Sequence, residues 1–314
     1  MRAADNTPTA EQHLPASRSE RIVLGGHVQG VGFRPFVYRH ARRYGIRGWV
    51  RNELGEVHIL AQGPPEILEQ FVRTLIREAP PLARPELLAR TPAKEKNVQD
   101  FAILPSNASG PARIYVPPDY FTCPDCLKEL HDANDRRHRY PFINCTQCGP
   151  RYTLITRLPY DRANTTMAGF VMCRACRREY EDPGDRRFHA EPIACPVCGP
   201  RLQFETGRHP LIHDTAAALA ACVQALRRGA IVAVKGVGGY HLLCNASDDT
   251  AIERLRRHKP RPHKPLAVMF PVVGRDGLAA VRKATAPEAV EAKCLLDPMR
   301  PIVLVKTRPA GSLS

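Results

Sequence analysis

Eight of the eleven cysteines form two copies of one pattern, offset by fifty positions. Cys123-x2-Cys126 and Cys145-x2-Cys148 recur as Cys173-x2-Cys176 and Cys195-x2-Cys198, with eighteen residues between the pairs of each copy. The text around them repeats too. Asp135-Arg136-Arg137 matches Asp185-Arg186-Arg187, and Cys148-Gly149-Pro150-Arg151 matches Cys198-Gly199-Pro200-Arg201. A Cys-x2-Cys turn places two thiolates on one side of a knuckle, half of a tetrahedral zinc site. Two knuckles make a closed four-thiolate site with no open position, so two structural Zn2+ sites are expected. Sequential and crossed pairing of the knuckles have the same stoichiometry, and spacing does not choose between them. The competing reading is a disulfide framework, which suits secreted chains; no signal peptide or long apolar span is visible. Reduced thiolates without an export signal point to the cytoplasm and away from a membrane. Cys222, Cys244 and Cys294 are left over as buried thiols.

A second constellation lies near the start. Gly26-His27-Val28-Gln29-Gly30-Val31-Gly32-Phe33-Arg34 sits between an apolar strand signal and a helix. Glycines let successive N–H groups turn inward as an anion cradle, and a helix N-terminus adds partial positive charge. Arg34 can offer a bidentate fork to phosphate oxygens. The bland alternative is a loop that merely turns, with Arg34 as a surface charge. The whole string closely resembles the signature of acylphosphatases, small ferredoxin-like enzymes that hydrolyse acyl phosphates. That resemblance implies that Gln29, Gly30, Val31, Gly32 and Phe33 bind phosphate with Arg34. It also implies that Asn52, in Gly48-Trp49-Val50-Arg51-Asn52, orients the attacking water. The loop and Arg34 would then stabilise phosphoryl charge, with positioning sufficient for so activated a substrate.

A third cluster is basic. Lys259-Pro260-Arg261-Pro262-His263-Lys264-Pro265 follows a helix bearing Arg254, Arg256 and Arg257. Prolines make the run stiff, so its cations project in defined directions. With Lys235 it could grip a triphosphate or an adenylate; a solvated turn and RNA phosphate contact are the alternatives. The spacing of Lys259, Arg261 and Lys264, with Lys235-Gly236-Val237-Gly238-Gly239 upstream, resembles the nucleotide-binding run of YrdC-like domains.

The elements that must hold these groups can be read from periodicity. The chain of 314 residues has 43% hydrophobic content and a formal charge of +15. Two four-thiolate zinc sites lower that charge to roughly +11, which still favours anionic partners. Residues 1–19 are polar and aperiodic, a disordered lead-in. Residues 20–106 read as strand–helix–strand–strand–helix–strand, the ferredoxin-like split βαβ. Its strands are placed from Arg21, at 46–51, at 56–61 and at 98–104, and its helices at 35–44 and 64–78. A linker at 107–113 leads to the zinc-finger module, 114–206. From 210 to 314, helices at 215–228 and 249–258 alternate with buried-strand signals at 230–234, 266–270 and 301–306, an incomplete α/β domain. The fold class is therefore α+β multidomain.

Taken in this order, an acylphosphatase-like unit, a doubled four-cysteine module and a YrdC-like unit resemble the HypF family of hydrogenase-maturation carbamoyltransferases. The resemblance covers residues 21–308. It implies hydrolysis of carbamoyl phosphate in the first domain and joining of the carbamate to AMP from ATP/Mg2+ in the YrdC-like domain. A further C-terminal domain, expected beyond the end of this sequence, passes the carbamoyl group to the terminal cysteine of a HypE-type partner, combining hydrolase and ligase chemistry. Lys235, Lys259, Arg261 and Lys264 are implied nucleotide ligands. Double-stranded RNA is a further implied partner. The competing readings are a zinc-containing RNA-binding or nucleotide-binding module without turnover, and an inactive truncated product.

Overall fold

The computed structural model describes residues 17–53, 55–94, 98–107, 118–158, 160–207, 209–236, 238–261 and 263–308. Most of the expected lead-in and linker lie outside these residues. The chain divides into two units.

The first unit is built on a five-stranded sheet. Its elements are β1 (Arg18–His27), α1 (Phe33–Arg43), β2 (Arg47–Glu53), β3 (Glu56–Gly63), α2 (Pro65–Arg77), β4 (Arg84–Pro92) and β5 (Phe101–Ile103). The strand order is β4-β1-β3-β2-β5. β1 runs antiparallel to both β3 and β4, and β2 antiparallel to β3. Ile22, Leu24, Val50 and Ile59 of the sheet and Leu68, Phe71 and Leu75 of α2 are completely buried. Each such side chain contributes about 1.5–3 kcal/mol. Helix α2 has Pro65 in its first turn, where a missing N–H costs nothing, and its apolar residues fall at 68, 71, 72 and 75 on one face.

Two expectations need correction here. β1 starts at Arg18, so the last residues of the supposed lead-in are strand. The closing strand of the split βαβ is β4, not residues 98–104; of the latter only 101–103 are strand, paired parallel to β2 on the opposite edge. β4 is an edge strand whose residues are mostly exposed. An exposed edge carries no alternation of apolar and polar residues, and its two prolines argue against a strand. Two short stretches from the cysteine-rich region, Leu158–Asp161 and Asp182–His189, belong to this first unit. Tyr38 of α1 stacks edge-on against Phe188 with centroids 5.4 Å apart.

The second unit holds the rest of the cysteine-rich region and the C-terminal segment. Each cysteine copy has one α-helix that starts inside its first knuckle, α3 (Pro124–His131) and α4 (Arg174–Glu181), again fifty residues apart. Then come the hairpin β6 (Phe204–Thr206) and β7 (His209–Ile212), α5 (Thr215–Arg227), the hairpin β8 (Val232–Gly236) and β9 (Gly239–Leu243), α6 (Asp249–His258), α7 (Ala279–Ala284) and α8 (Ala289–Leu296). Asp214 caps α5 through Ala217 N–H, and Asp248 caps α6 through Ala251 N–H.

The apolar runs 266–270 and 301–306 are not strands. Met269, Ile302 and Leu304 are 84%, 84% and 76% exposed, and neither run has a ladder among the described residues. A run of β-branched residues becomes a strand only when another strand satisfies its backbone. The strand expected at 230–234 is β8, shifted by two residues and only partly buried. Nor are the three remaining cysteines buried: Cys222 and Cys244 are intermediate and Cys294 is exposed. No helix among the described residues is long and apolar enough to cross a membrane.

Candidate functional site

The glycine-rich loop joins β1 to α1 at one end of the sheet. Gly30 and Gly32 have φ of 68° and 71°, left-handed values that a side chain would resist. Gly32 is the N-cap, so the first turn of α1 opens directly onto the loop, with no acidic residue in it. Arg34 lies in that first turn, and Phe36 N–H closes on the Gly32 carbonyl at 3.1 Å. Val28, Val31 and Phe33 are buried and anchor the loop, and Gln29 donates through Nε2 to the Glu56 carbonyl at 3.2 Å.

That bond ties the loop to the start of β3. Residue 52 of β2 pairs with Val57, which in turn pairs with Leu24 of β1, so Asn52 occupies the same end of the sheet. β2 alternates, with Gly48, Val50 and Asn52 on its buried face. Asn52 is 1% exposed, yet its Oδ1 has no hydrogen-bond partner among the described residues. An unpaired buried carbonyl costs about 1–3 kcal/mol. Such a penalty is tolerated where a ligand or reacting group is to be met.

Arg34 is itself mostly buried. Its Nη1 donates to Asp161 Oδ1 at 3.1 Å, and to Ser106 Oγ at 3.4 Å. Asp161 and His189 come from the two short stretches that join this unit. Burial pushes the His189 imidazole down to about 4, helped by the positive charge of Arg34 and opposed by Asp161. The ring is therefore neutral near pH 7. Sequence reasoning missed both residues, because nothing in the spacing links positions 161 and 189 to a loop at 30.

The cysteines settle into two clusters, Cys123, Cys126, Cys145 and Cys148, and Cys173, Cys176, Cys195 and Cys198. Pairing is thus sequential within each copy. Sγ–Sγ separations are 3.7 Å for Cys123–Cys145 and Cys145–Cys148, 3.8 Å for Cys173–Cys195, 3.7 Å for Cys195–Cys198 and 3.6 Å for Cys176–Cys198. Tetrahedral ligands at about 2.3 Å from zinc lie about 3.8 Å apart, whereas a disulfide needs about 2.05 Å. The donor set fits zinc and excludes disulfides between these pairs.

The first Asp-Arg-Arg triplet reaches across to the second copy through Arg136 and Arg137. Asp135 and Asp185 each accept the N–H two residues on, from Arg137 and Arg187, at 2.7 Å. Arg137 is 1% exposed; it donates to the Ala194 carbonyl at 2.9 Å and to Glu179. Arg136 donates to Cys176 Sγ at 3.1 Å and also binds Glu179. Arg151 ties the second knuckle of the first copy, donating to the carbonyls of Cys145 and Cys148. Burial alone would raise the Glu179 pKa, but hydrogen bonds from Arg137 and Arg136 outweigh it and hold the carboxylate at about 2. Arg187 is buried as well, so neither it nor Arg137 is presented to a nucleic acid. Tyr140 and Phe188 are likewise core residues.

The implied nucleotide ligands are all exposed. Lys235 lies within β8, not after it, with Nζ 5.8 Å from the Tyr240 ring. Lys259, Arg261 and Lys264 are all exposed, just past the end of α6. A cavity of about 270 Å³ lined by Ile76, Arg77, Arg84 and Glu86, among others, contains none of the expected site residues.

Family models match the chain in three consecutive regions. They are Acylphosphatase over 20–103, HypF finger over 122–155 and 172–205, and Telomere recombination, the Sua5/YciO/YrdC family, over 224–313. Carbamoyltransferase HypF2 of Cupriavidus necator is 51% identical over 92% of the chain. The chain belongs to the HypF family. Carbamoyltransferase HypF of Synechocystis is 47% identical over 91% of the chain. A crystal structure of full-length HypF in the phosphate- and nucleotide-bound form, 42% identical, superposes on 95% of the chain with a TM-score of 0.86. The chain spans only 35% and 37% of the two relatives' lengths and 38% of that crystallised chain. Over its first region alone it is also 47% identical to an acylphosphatase of Bacillus velezensis, covering 67% of that protein.

Proposed function

We propose that this chain is the N-terminal part of a carbamoyltransferase of NiFe-hydrogenase maturation, and that its first domain hydrolyses carbamoyl phosphate. The loop Gln29–Phe33 and the first turn of α1 receive the phosphoryl oxygens, and Arg34 donates to them. Asn52 Oδ1 accepts a hydrogen from the water that attacks phosphorus in line with the acyl oxygen. The P–O bond to the carbamoyl group breaks, carbamate leaves with the electron pair, and the water's oxygen remains on phosphate. The observation that carries this reading is the buried Oδ1 of Asn52, unpaired among the described residues, at the loop's end of the sheet. The two four-cysteine clusters hold structural zinc. Each site is worth on the order of 10 kcal/mol of folding free energy, enough to order a connector with little core of its own.

The chain is read as domains at 20–106, 114–206 and 210–314. In the third, Lys235, Lys259, Arg261 and Lys264 are the ligands offered to ATP with Mg2+, and the carbamate is the group adenylated. In the longer proteins of this family the carbamoyl group then passes to the C-terminal cysteine of a HypE-type partner. The exposure of Lys259, Arg261 and Lys264 equally suits contact with the double-stranded RNA backbone. RNA affinity that falls with salt, without any phosphate release, would favour that second reading.

The test is phosphate release from carbamoyl phosphate by the zinc-loaded chain. Arg34→Ala should abolish it while leaving the circular dichroism spectrum unchanged. Near-full activity in that variant would sink the hydrolase assignment.

A further inference from the structure

The acylphosphatase match ends at residue 103, so nothing in that chemistry accounts for Asp161 beside Arg34. A carboxylate there is costly for a phosphate site. It competes for the guanidinium and repels an incoming phosphate dianion. Asp161 is nonetheless held in place, 29% exposed, with Oδ1 on Arg34 Nη1 at 3.1 Å. Its other oxygen, Oδ2, accepts no hydrogen bond from the described residues. His189, which feels the charges of both Arg34 and Asp161, is neutral near pH 7 and adds no second cation. The result is an anionic acceptor beside the phosphate-binding arginine, with one oxygen bonded to none of the described residues.

Resting on the proposed hydrolase reading, we propose that Asp161 selects the acyl group of the substrate by accepting an N–H from its carbamoyl amide. Carbamoyl phosphate and acetyl phosphate differ there by an NH2 against a CH3 of nearly the same size. Shape cannot separate them, but a carboxylate can. The carbamoyl N–H satisfies Asp161 Oδ2 by a charge-assisted bond, whereas the methyl group of acetyl phosphate buries that oxygen unpaired. Sites built to hydrogen-bond a substrate N–H reject analogues lacking it far more strongly than apolar pockets reject a changed methylene. An acylphosphatase domain would thereby become a carbamoyl-specific one through a residue supplied from between the two cysteine copies.

His189 and its counterpart in the first copy, Arg139, share left-handed φ values of 52° and 55°. The turn is therefore a property of the repeat, and only the residue type differs at the site.

The experiment compares kcat/KM for carbamoyl phosphate and acetyl phosphate in the wild type, Asp161→Ala and Asp161→Asn. Circular dichroism and bound zinc are checked for each protein. The preference for carbamoyl phosphate should fall by about 10- to 100-fold in Asp161→Ala, because the carbamoyl substrate slows while the acetyl one does not. Asp161→Asn can keep its one carbonyl on Arg34 but then places an NH2 donor where Oδ2 stood, so it should lose the preference as Asp161→Ala does. An unchanged ratio in a folded Asp161→Ala protein overturns the assignment while leaving the hydrolase reading intact. Equal acceleration of both substrates overturns it in favour of a carboxylate that merely plugs the arginine. If Asp161→Ala does not fold, the loss of preference in Asp161→Asn is the supporting result and its retention the refuting one. A wild type that hydrolyses neither substrate overturns the hydrolase reading and this proposal together.

Discussion

Replacing Asn52 by alanine should damage catalysis and spare the fold. Asn52 is 1% exposed, and its Oδ1 is unpaired among the described residues, which costs about 1–3 kcal/mol in the free protein. Its backbone carbonyl accepts from Asn107 N–H at 2.9 Å, and alanine preserves that bond. The variant therefore sheds the penalty of a stranded carbonyl and loses a few packing contacts, for a net stability change within about 1 kcal/mol. If Oδ1 holds the attacking water, hydrolysis should fall by about 10²- to 10³-fold, the typical cost of one oriented polar group. Inorganic phosphate should still raise the melting temperature as in the wild type, since Asn52 holds the water and not the anion. Urea unfolding, thermal shift in phosphate and phosphate release from carbamoyl phosphate measure the three quantities. A loss of more than about 3 kcal/mol with proportionate loss of activity would refute the reasoning, because Asn52 would then be structural.

Mass spectrometry of the intact native protein should find two zinc ions per chain, and replacing Cys123, Cys126, Cys145 and Cys148 by serine should leave one. Glu179→Ala strands the buried guanidinium of Arg137, so it should destabilise the second unit by about 3–5 kcal/mol. Replacing both residues, with leucine at 179 and methionine at 137, should recover most of that loss in denaturant unfolding. His189 gives a pH signature. Its folded pKa of about 4 lies below the ordinary 6.5, so between these values the unfolded state binds more protons. Its contribution is fully present above pH 6.5 and is lost as pH falls toward 4. His189→Gln should reduce the slope of stability against pH in that window by up to one proton, and an unchanged slope would contradict the burial of a neutral ring.

What could be read early and what could not follow one physical division. The cysteine knuckles, the glycine loop and the helices at 215–227 and 249–258 are local: each depends on residues a few positions apart, so spacing and periodicity reveal them. β4 escaped notice because an edge strand faces water and carries no hydrophobic alternation. The apolar runs at 266–270 and 301–306 misled in the opposite direction, since β propensity alone cannot supply a partner strand.

The chemistry divides in the same way. The amino-acid sequence by itself determined the four zinc-type knuckles, the phosphate-type loop and the presence of Arg34 and Asn52, because each is a short pattern of residue types. Tertiary structure alone decided that the knuckles pair within a copy, that Arg137 of one copy is buried against Glu179 of the other, and that Oδ1 of Asn52 is stranded among the described residues. It alone brought Asp161 within 3.1 Å of Arg34, across 127 residues of chain. Contacts of that separation are settled by packing, which no local pattern encodes.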